Sequence, residues 1–185
     1  HDNLVNHVLG LLKNARKEGG NFTFSIENPR GLLRKRSFMA CEKWPLELRA
    51  RRVTVDYCAY AAPYRKTTDI WTDLHDWKPC GSTGDGRCHH RCGQGGWGAE
   101  IDGRRSFYHH KALAGQPIDG VQGVGSKQYL SHIPSQLCDE LLQVEGHPCK
   151  KGVVLDLCCG WGSMEKPTLA SGRSYLGIDL RMCSS

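Results

Sequence analysis

Two short apolar runs near the C-terminal end of the chain, separated by a glycine turn, constrain the fold more than any other feature. Val153 to Leu157 and Tyr175 to Ile178 are continuous apolar stretches of strand length, which is typical of strands buried on both faces of a parallel sheet. The segment between them is long enough for one helix, as a parallel connection requires. The sequence therefore predicts an α/β domain whose parallel sheet has helices on both faces.

The turn between the two runs is suited to binding a nucleoside. Asp156 ends the first strand, and Gly160 and Gly162 follow in the spacing G-x-G, which allows the backbone to approach a ligand closely. Asp179 follows the second strand, where a carboxylate can accept hydrogen bonds from two ribose hydroxyls. A third glycine is absent, and Glu165 would repel a pyrophosphate. The pattern favours S-adenosylmethionine, which carries a positive sulfonium and no phosphate. A plain strand–turn–helix with a packing glycine is the alternative.

The rest of the chain is organised around an irregular central region. Helical periodicity covers residues 4–17 and 134–144, and strand-like runs cover 22–26, 52–60 and 69–72. Residues 78–127 are rich in Gly, His, Cys and Arg without a sustained period, which indicates a functional loop or partial disorder. With 185 residues the chain is long enough for one domain. We divide it into segments 1–76, 77–128 and 129–185.

The charge distribution indicates a polyanionic partner. Lys and Arg total 25 against 19 Asp and Glu, and the excess is clustered. The clustered cations are Arg30, Arg34, Lys35, Arg36, Arg49, Arg51 and Arg52. A nucleic acid would bind such a cluster, and a solvated basic face is the alternative. No apolar run approaches the roughly 20 residues that span a bilayer, and a signal peptide is not apparent. We expect a soluble protein without a membrane partner, nuclear or, in a bacterium or phage, cytoplasmic.

Cysteine and histidine are concentrated in the central region. The chain has ten cysteines, which in a reducing compartment indicates free thiols or a metal site rather than disulfides. Cys80, Cys88, His90 and Cys92 could close a tetrahedral zinc site that staples a loop without a core. The spacing C-x7-C-x3-C matches no standard finger, so a DNA-facing loop whose thiols bind nothing is the alternative. Cys58 lies in an apolar run and is expected to be a buried small hydrophobe. The basic and aromatic stretch 97–109 is a candidate target-recognition segment.

Two further segments, combined with the glycine turn, resemble the DNA (cytosine-5) methyltransferases. Residues 24–29, FSIENP, resemble the glutamate–asparagine strand end of that family, and 64–67, YRKT, resemble its arginine-bearing turn. Residues 155–162, LDLCCGWG, look like its cofactor motif, and the helix at 134–144 takes the place of its last motif. In the family the cofactor motif comes first, whereas here it comes last. The chain thus resembles a circularly permuted, phage-like member, and permutation is tolerated where the original termini lie close together.

The resemblance implies a Rossmann-like methyltransferase sheet in permuted order and methyl transfer from S-adenosylmethionine to C5 of a flipped cytosine in DNA, through a cysteine adduct. Glu27 would bind the N3 and amine edge of the base, and Arg65 would hold the nucleotide or orient the nucleophile. The candidate cofactor-binding residues are Asp156, Cys158, Gly160, Trp161, Gly162, Asp179 and Leu180.

The family's nucleophile lies in a Pro-Cys-Gln turn, which this chain lacks. We therefore expect the chain to be a fragment, with the nucleophile before His1 or after Ser185. Two alternative functions remain open at this point. One is methyl transfer to RNA or to a small molecule, and the other is a non-catalytic nucleic-acid-binding module with a decayed cofactor pocket.

Overall fold

The computed structural model describes residues 2–44, 46, 48–94, 96–101, 104–108, 110, 132–144, 152–157 and 162–178, with the backbone alone for the strands within 96–108. The helices are α1 (Asp2–Lys17), α2 (Ser135–Leu142) and α3 (Glu165–Ala170). The strands are β1 (Ser25–Pro29), β2 (Arg51–Asp56), β3 (Thr67–Thr72), β4 (Gly96–Ile101), β5 (Arg104–Tyr108), β6 (Val153–Asp156) and β7 (Ser174–Gly177). The mixed α/β class is confirmed. None of the described helices has the length and apolar character needed to cross a membrane.

The first sheet is antiparallel, in the order β1-β3-β2. Glu27 of β1 and Val53 of β2 both lie opposite Ile70 of the central strand. The predicted strand 22–26 was placed too early, because β1 continues to Pro29. Proline is tolerated there because β1 is an edge strand among the described residues and needs no donor on its outer side. The predicted strand 52–60 ends at Asp56 instead, and residues 57–60 form a 3-10 turn.

Two hydrophobic cores lie against this sheet. One contains Leu137 of α2, so the last predicted helix packs on the same sheet that carries Glu27. Its other members come from the sheet and from the turn that follows β2, and include Val55, Tyr57, Tyr60, Tyr64, Ile70 and Trp77. The second core is formed by Phe24, Met39, Trp44, Leu48 and Trp71, against which Val5, Leu9 and Leu12 of α1 pack. The predicted helix is therefore confirmed, but Leu4 and Leu11, which were expected on its apolar face, are 42% and 50% exposed, and Leu9 packs on the core instead.

A single carboxylate fixes α2 to the rest of the molecule. Glu140 accepts hydrogen bonds from Trp77 Nε1 at 2.8 Å, from the backbone N–H of Cys80 at 3.0 Å and from that of Gly81 at 3.2 Å. The hydroxyl of Tyr60 donates to the same side chain at 3.2 Å. Bonds to a charged acceptor are stronger than neutral ones, so this residue determines where α2 sits.

The predicted strands β6 and β7 form a parallel pair joined through α3, which confirms their direction. They are not buried on both faces, as the apolar runs predicted. Val153, Leu155 and Leu176 are 61%, 53% and 54% exposed. Among the described elements α3 packs against α2 and against β7, and burial alternates along β6, with Val154 and Asp156 partly buried. Among the described strands the sheets contain three, two and two strands, so a continuous Rossmann-like sheet stays a prediction.

The central region, predicted to be irregular, contains the hairpin β4–β5. Its strands are short, and their register shifts between Trp97 and Glu100, so no sustained alternation appears in the sequence. The candidate target-recognition stretch 97–109 falls largely on this hairpin, whose side chains are outside the described part of the chain.

Candidate functional site

The carboxylate of Glu27 lies in a cluster formed by β1 and the segment between β2 and β3. Its Oε1 accepts a hydrogen bond of 2.6 Å from the Tyr57 hydroxyl and one of 3.1 Å from Lys66 Nζ. The Lys66 side chain is only 5% exposed, and its ammonium lies 4.7 Å from the centre of the Tyr57 ring. Burial raises the pKa of Tyr57, and Glu27 raises it further, so the phenol remains a donor. Glu27 is thus held as an oriented anion.

Arg65 points to a different carboxylate, that of Asp56. The two side chains form an ion pair of 3.4 Å, in which Arg65 is 44% exposed and Asp56 is buried. Burial favours the neutral form of Asp56, but bonds from the Cys88 N–H, the Thr67 hydroxyl and the Arg87 guanidinium outweigh it. Together with the charge of Arg65 they lower the pKa of Asp56 to about 2.

The two segments carried over from the resemblance meet in space. The backbone N–H of Tyr57 bonds to the Lys66 carbonyl at 3.1 Å, and that of Arg30 bonds to the Thr67 carbonyl at 2.8 Å. Arg65 is adjacent to the cluster, and its neighbour Lys66 is the residue that binds Glu27. Sequence reasoning missed Lys66. The available signal was that Lys66 directly follows Arg65. Because neighbouring residues of an extended segment point to opposite sides, Lys66 faces away from Arg65 and binds a different carboxylate.

The described part of the predicted cofactor region comprises Asp156 and Gly162. Asp156 ends β6, where its carboxylate accepts a bond from the Tyr175 hydroxyl at 3.2 Å and its carbonyl accepts the Ile178 N–H at 2.8 Å. Gly162 has a φ of 70°, a left-handed conformation, and a Cβ there would lie 3.3 Å from a carboxylate oxygen of Glu165. The other predicted residues, Cys158, Gly160, Trp161, Asp179 and Leu180, lie outside the described residues.

Cys138 on α2 is buried and contacts the residue that follows the glycine turn. Burial raises the pKa of its thiol to about 12, and the carboxylates of Asp139, Asp156 and Glu27 contribute. The thiol also donates to the carbonyl of Ser163, just after the glycine turn, at 3.8 Å.

Three thiols and an imidazole lie close together near Asp56, whose carboxylate accepts the backbone N–H of one of the cysteines, Cys88. The ligand atoms of Cys58, Cys88, Cys92 and His110 all lie within 4.8 Å of one another, and all four residues are buried. The Sγ atoms of Cys88 and Cys92 are 3.6 Å apart, and His110 Nε2 is 3.5 Å from the first and 3.0 Å from the second. Burial raises the pKa of the Cys58 thiol, and the adjacent Cys88 and Cys92 raise it further. This cluster could hold a metal ion.

The predicted zinc ligands are only partly in this cluster. Cys88 and Cys92 belong to it, whereas Cys80 and His90 are exposed and are not part of it. Sequence reasoning missed His110 and assigned Cys58 to hydrophobic packing. The fold brings these two residues to the cluster from outside the 80–92 segment.

The backbone around the cluster is bent to direct the thiols inward. Cys58 lies in the 3-10 turn after β2. Between Cys88 and Cys92 the chain turns sharply, with the Arg91 N–H bonded to the Cys88 carbonyl at 2.7 Å. His89 and His90 have φ values of 40° and 58°, and this left-handed conformation costs on the order of 1–2 kcal/mol for each non-glycine residue. Such a turn persists where its surroundings fix it.

Part of the basic cluster is used within the protein. Arg34 forms an ion pair of 3.5 Å with the buried Asp69, and Arg36 pairs with Asp2 at 3.0 Å. Arg51 bonds to backbone carbonyls of residues 74 and 77. These three cations contribute to internal contacts, so a nucleic-acid partner stays a prediction.

Comparisons of the chain with protein-family models, with curated proteins and with solved structures give no match. The functional assignment therefore depends on the residues and geometry of the chain itself.

Proposed function

We propose that the chain carries the base-binding and cofactor-binding parts of an S-adenosylmethionine-dependent DNA (cytosine-5) methyltransferase with permuted motif order. The observation that carries the proposal is the oriented Glu27 carboxylate, held by Tyr57 and Lys66. Lys66 belongs to the YRKT segment, so two of the segments that carry the resemblance meet at this carboxylate.

The Glu27 cluster has properties that a cytosine site requires. Among the described contacts, the Tyr57 and Lys66 bonds both engage Oε1, so Oε2 can accept from the exocyclic amine of a base. The side chain is 26% exposed, which allows a flipped base to reach it. Lys66 supplies a fixed positive charge beside the carboxylate, and preorganised charges of this kind stabilise charge that develops during a reaction. Arg65 remains exposed enough to bind a phosphate.

The described cofactor residues fit a nucleoside that carries a positive charge. Asp156 lies at the carboxyl end of one of two adjacent parallel strands, the common position of nucleotide pockets in α/β folds. Gly162 and Glu165 follow, and their arrangement disfavours phosphate. S-adenosylmethionine, when bound, supplies the methyl group. Asp156 and the glycine turn would bind and orient it, and Glu27 would hold the acceptor base on the neighbouring side of α2.

The decisive experiment is a covalent trap. The protein produced from its complete gene is incubated with S-adenosylmethionine and DNA containing 5-fluorocytosine, and the adduct is resolved on a denaturing gel. We expect an adduct with the wild type and, for Glu27→Gln, methyl transfer to ordinary DNA that is lower by about a hundredfold or more. Glu18→Gln is the matched control, because Glu18 is exposed, directly follows α1 and belongs to none of the sequence motifs; this variant should retain full activity.

Two results would overturn the proposal. Methyl transfer to RNA or to a small molecule without any DNA adduct would show a different acceptor. Tight DNA binding without detectable S-adenosylmethionine binding in calorimetry would favour the non-catalytic module, which the buried cysteine–histidine cluster also suits. In the proposed enzyme, Asp156→Asn weakens cofactor binding and leaves the affinity for DNA unchanged.

A further inference from the structure

We infer that Cys58, Cys88, Cys92 and His110 bind one zinc ion in a closed structural site, and that this site anchors the β4–β5 hairpin to the first sheet. The inference does not depend on the proposed methyltransferase activity. It assigns a ligand set that differs from the one that the local sequence spacing predicts.

Three distances in the cluster can be compared with the edges of a tetrahedral zinc site, and the Cys58 sulfur lies within 4.8 Å of the other ligand atoms. Zinc–sulfur bonds of about 2.3 Å and zinc–nitrogen bonds of about 2.0–2.1 Å give tetrahedral edges of about 3.8 Å between two sulfurs and about 3.6 Å between sulfur and nitrogen. The Cys88–Cys92 separation is 3.6 Å, and His110 Nε2 lies 3.5 Å from the Cys88 sulfur. The Cys92–His110 distance of 3.0 Å is shorter than the ideal edge by about 0.6 Å. A small side-chain rotation accommodates an ion.

The donor set selects the metal. Three thiolates and one imidazole are soft to borderline ligands, which suit zinc and exclude magnesium and calcium, since those ions require oxygen donors. Four protein ligands fill a tetrahedral coordination sphere, so no position remains for water or substrate. The ion would therefore serve the fold and not the chemistry of a reaction.

The surroundings show why this part of the chain needs a metal. The buried hydrophobic cluster here consists of Cys58, Cys88 and Cys92 alone, so the thiols themselves are the local core among the described residues. They come from the turn after β2 and from a loop with two left-handed residues, while His110 follows β5. Small units without a sufficient apolar core are commonly stabilised by a bound metal.

A second layer of contacts supports the ligands. Asp56 Oδ2 accepts the Cys88 backbone N–H at 3.0 Å and the Arg87 Nε–H at 3.0 Å, which fixes the position of the first loop ligand. Asp56 Oδ1 faces Arg65. Groups of this kind, which orient metal ligands, typically change metal affinity by 10–100-fold when they are altered. The zinc site is thus joined through one carboxylate to the arginine segment of the proposed active site.

The first test is the metal content of the full chain, purified without chelators and measured by inductively coupled plasma mass spectrometry. We expect one zinc per chain, and zinc affinity reduced by more than about a hundredfold in Cys58→Ser and His110→Ala. Cys80→Ser and His90→Ala are the matched controls. They lie in the segment that carries Cys88 and Cys92, outside the assigned ligand set, and would retain the wild-type affinity. If either control loses zinc as the ligand variants do, the assigned set is wrong.

A second test does not depend on whether the ligand variants fold. Cobalt(II) titrated into the metal-free wild-type chain should produce the visible absorption of tetrahedral cobalt and sulfur-to-cobalt charge-transfer bands, and zinc should displace it. Alkylation mapped by mass spectrometry should spare Cys58, Cys88 and Cys92 in the zinc form while Cys80 reacts. Octahedral cobalt spectra, iron in place of zinc, or a Cys88–Cys92 disulfide in protein kept under reducing conditions would each overturn the inference.

Discussion

The pair formed by Glu27 and Lys66 permits a quantitative test of what the glutamate cluster contributes. Lys66 is 5% exposed and Glu27 26%, with 3.1 Å between Nζ and Oε1. Removing one partner of a buried ion pair costs about 3–5 kcal/mol, because the other charge is left without compensation. Partial access of water to Glu27 and the ring of Tyr57 beside Lys66 reduce this penalty. We therefore expect Glu27→Gln and Lys66→Met each to lower the free energy of unfolding by about 2 kcal/mol.

The double variant Glu27→Gln/Lys66→Met should also lose about 2 kcal/mol, and not the sum of about 4 kcal/mol from the two single variants, since no charge is then left unpaired. The coupling energy between the two residues, which is the difference between that sum and the loss in the double variant, is then about 2 kcal/mol. Urea denaturation followed by tryptophan fluorescence measures all four proteins. The ion pair of Arg36 and Asp2 is the matched control, because its length is 3.0 Å but its side chains are 50% and 42% exposed. For that pair a coupling of less than about 0.5 kcal/mol is expected. Equal coupling in both pairs, or additive effects in the buried pair, would refute the reasoning.

Three further predictions concern stability and thiol chemistry. Glu140→Ala should lower the free energy of unfolding by about 2–4 kcal/mol, because the Trp77 indole and the N–H groups of Cys80 and Gly81 lose a charged acceptor. Thermal denaturation would measure this loss, and a value below about 1 kcal/mol would contradict the assigned contacts. Gly86→Ala should strongly destabilise the protein in the same assay, since its Cβ would lie 2.7 Å from the Tyr60 hydroxyl oxygen. Gly84 also has a positive φ, but a Cβ there meets no atom within 4 Å, so Gly84→Ala should cost only backbone strain. The Cys138 thiol, whose pKa is raised to about 12, should resist alkylation at pH 8 while the exposed Cys80 reacts, and rapid alkylation at pH 8 would argue against its burial. Because the folded pKa lies above the ordinary value of 9.0, the contribution of Cys138 to stability is present below pH 9 and is lost as the pH rises toward 12.

Elements with strong periodicity could be predicted from the sequence. The helical spacing of Leu4, Val5, Val8, Leu11 and Leu12 identified α1, and the apolar runs identified β6 and β7 with their parallel direction. Strand ends could not be predicted, since they depend on neighbours. Pro29 is accommodated by the edge position of β1, and Tyr57 begins a 3-10 turn in which its hydroxyl bonds to Glu27. The exposure of β6 and β7 also follows from which helices cover them, and local sequence does not contain that information.

For the candidate sites as well, short motifs could be read from the sequence, whereas the contacts between distant residues could not. Glu27 and Arg65 could be selected as candidates because a short motif carries each, but the side chains that they contact are set by the fold. Cys58 precedes Cys88 by a strand and two loops, so spacing rules that apply to contiguous fingers could not associate the two. An apolar setting around Cys58 indicated burial correctly, yet burial is compatible with packing and with metal binding alike.

The uncovered side of the β6–β7 pair determines how this chain will behave at high concentration. Val153, Leu155 and Leu176 form an apolar strip on a ribbon of only two described strands. A flat strip of this type, beside strand edges that can accept another strand, is where copies of a protein tend to associate and precipitate. Because Val153 and Leu155 have little packing to lose, a lysine at either position should improve solubility at small cost in stability. Charge placed on this strip is thus the most direct means of obtaining monodisperse samples.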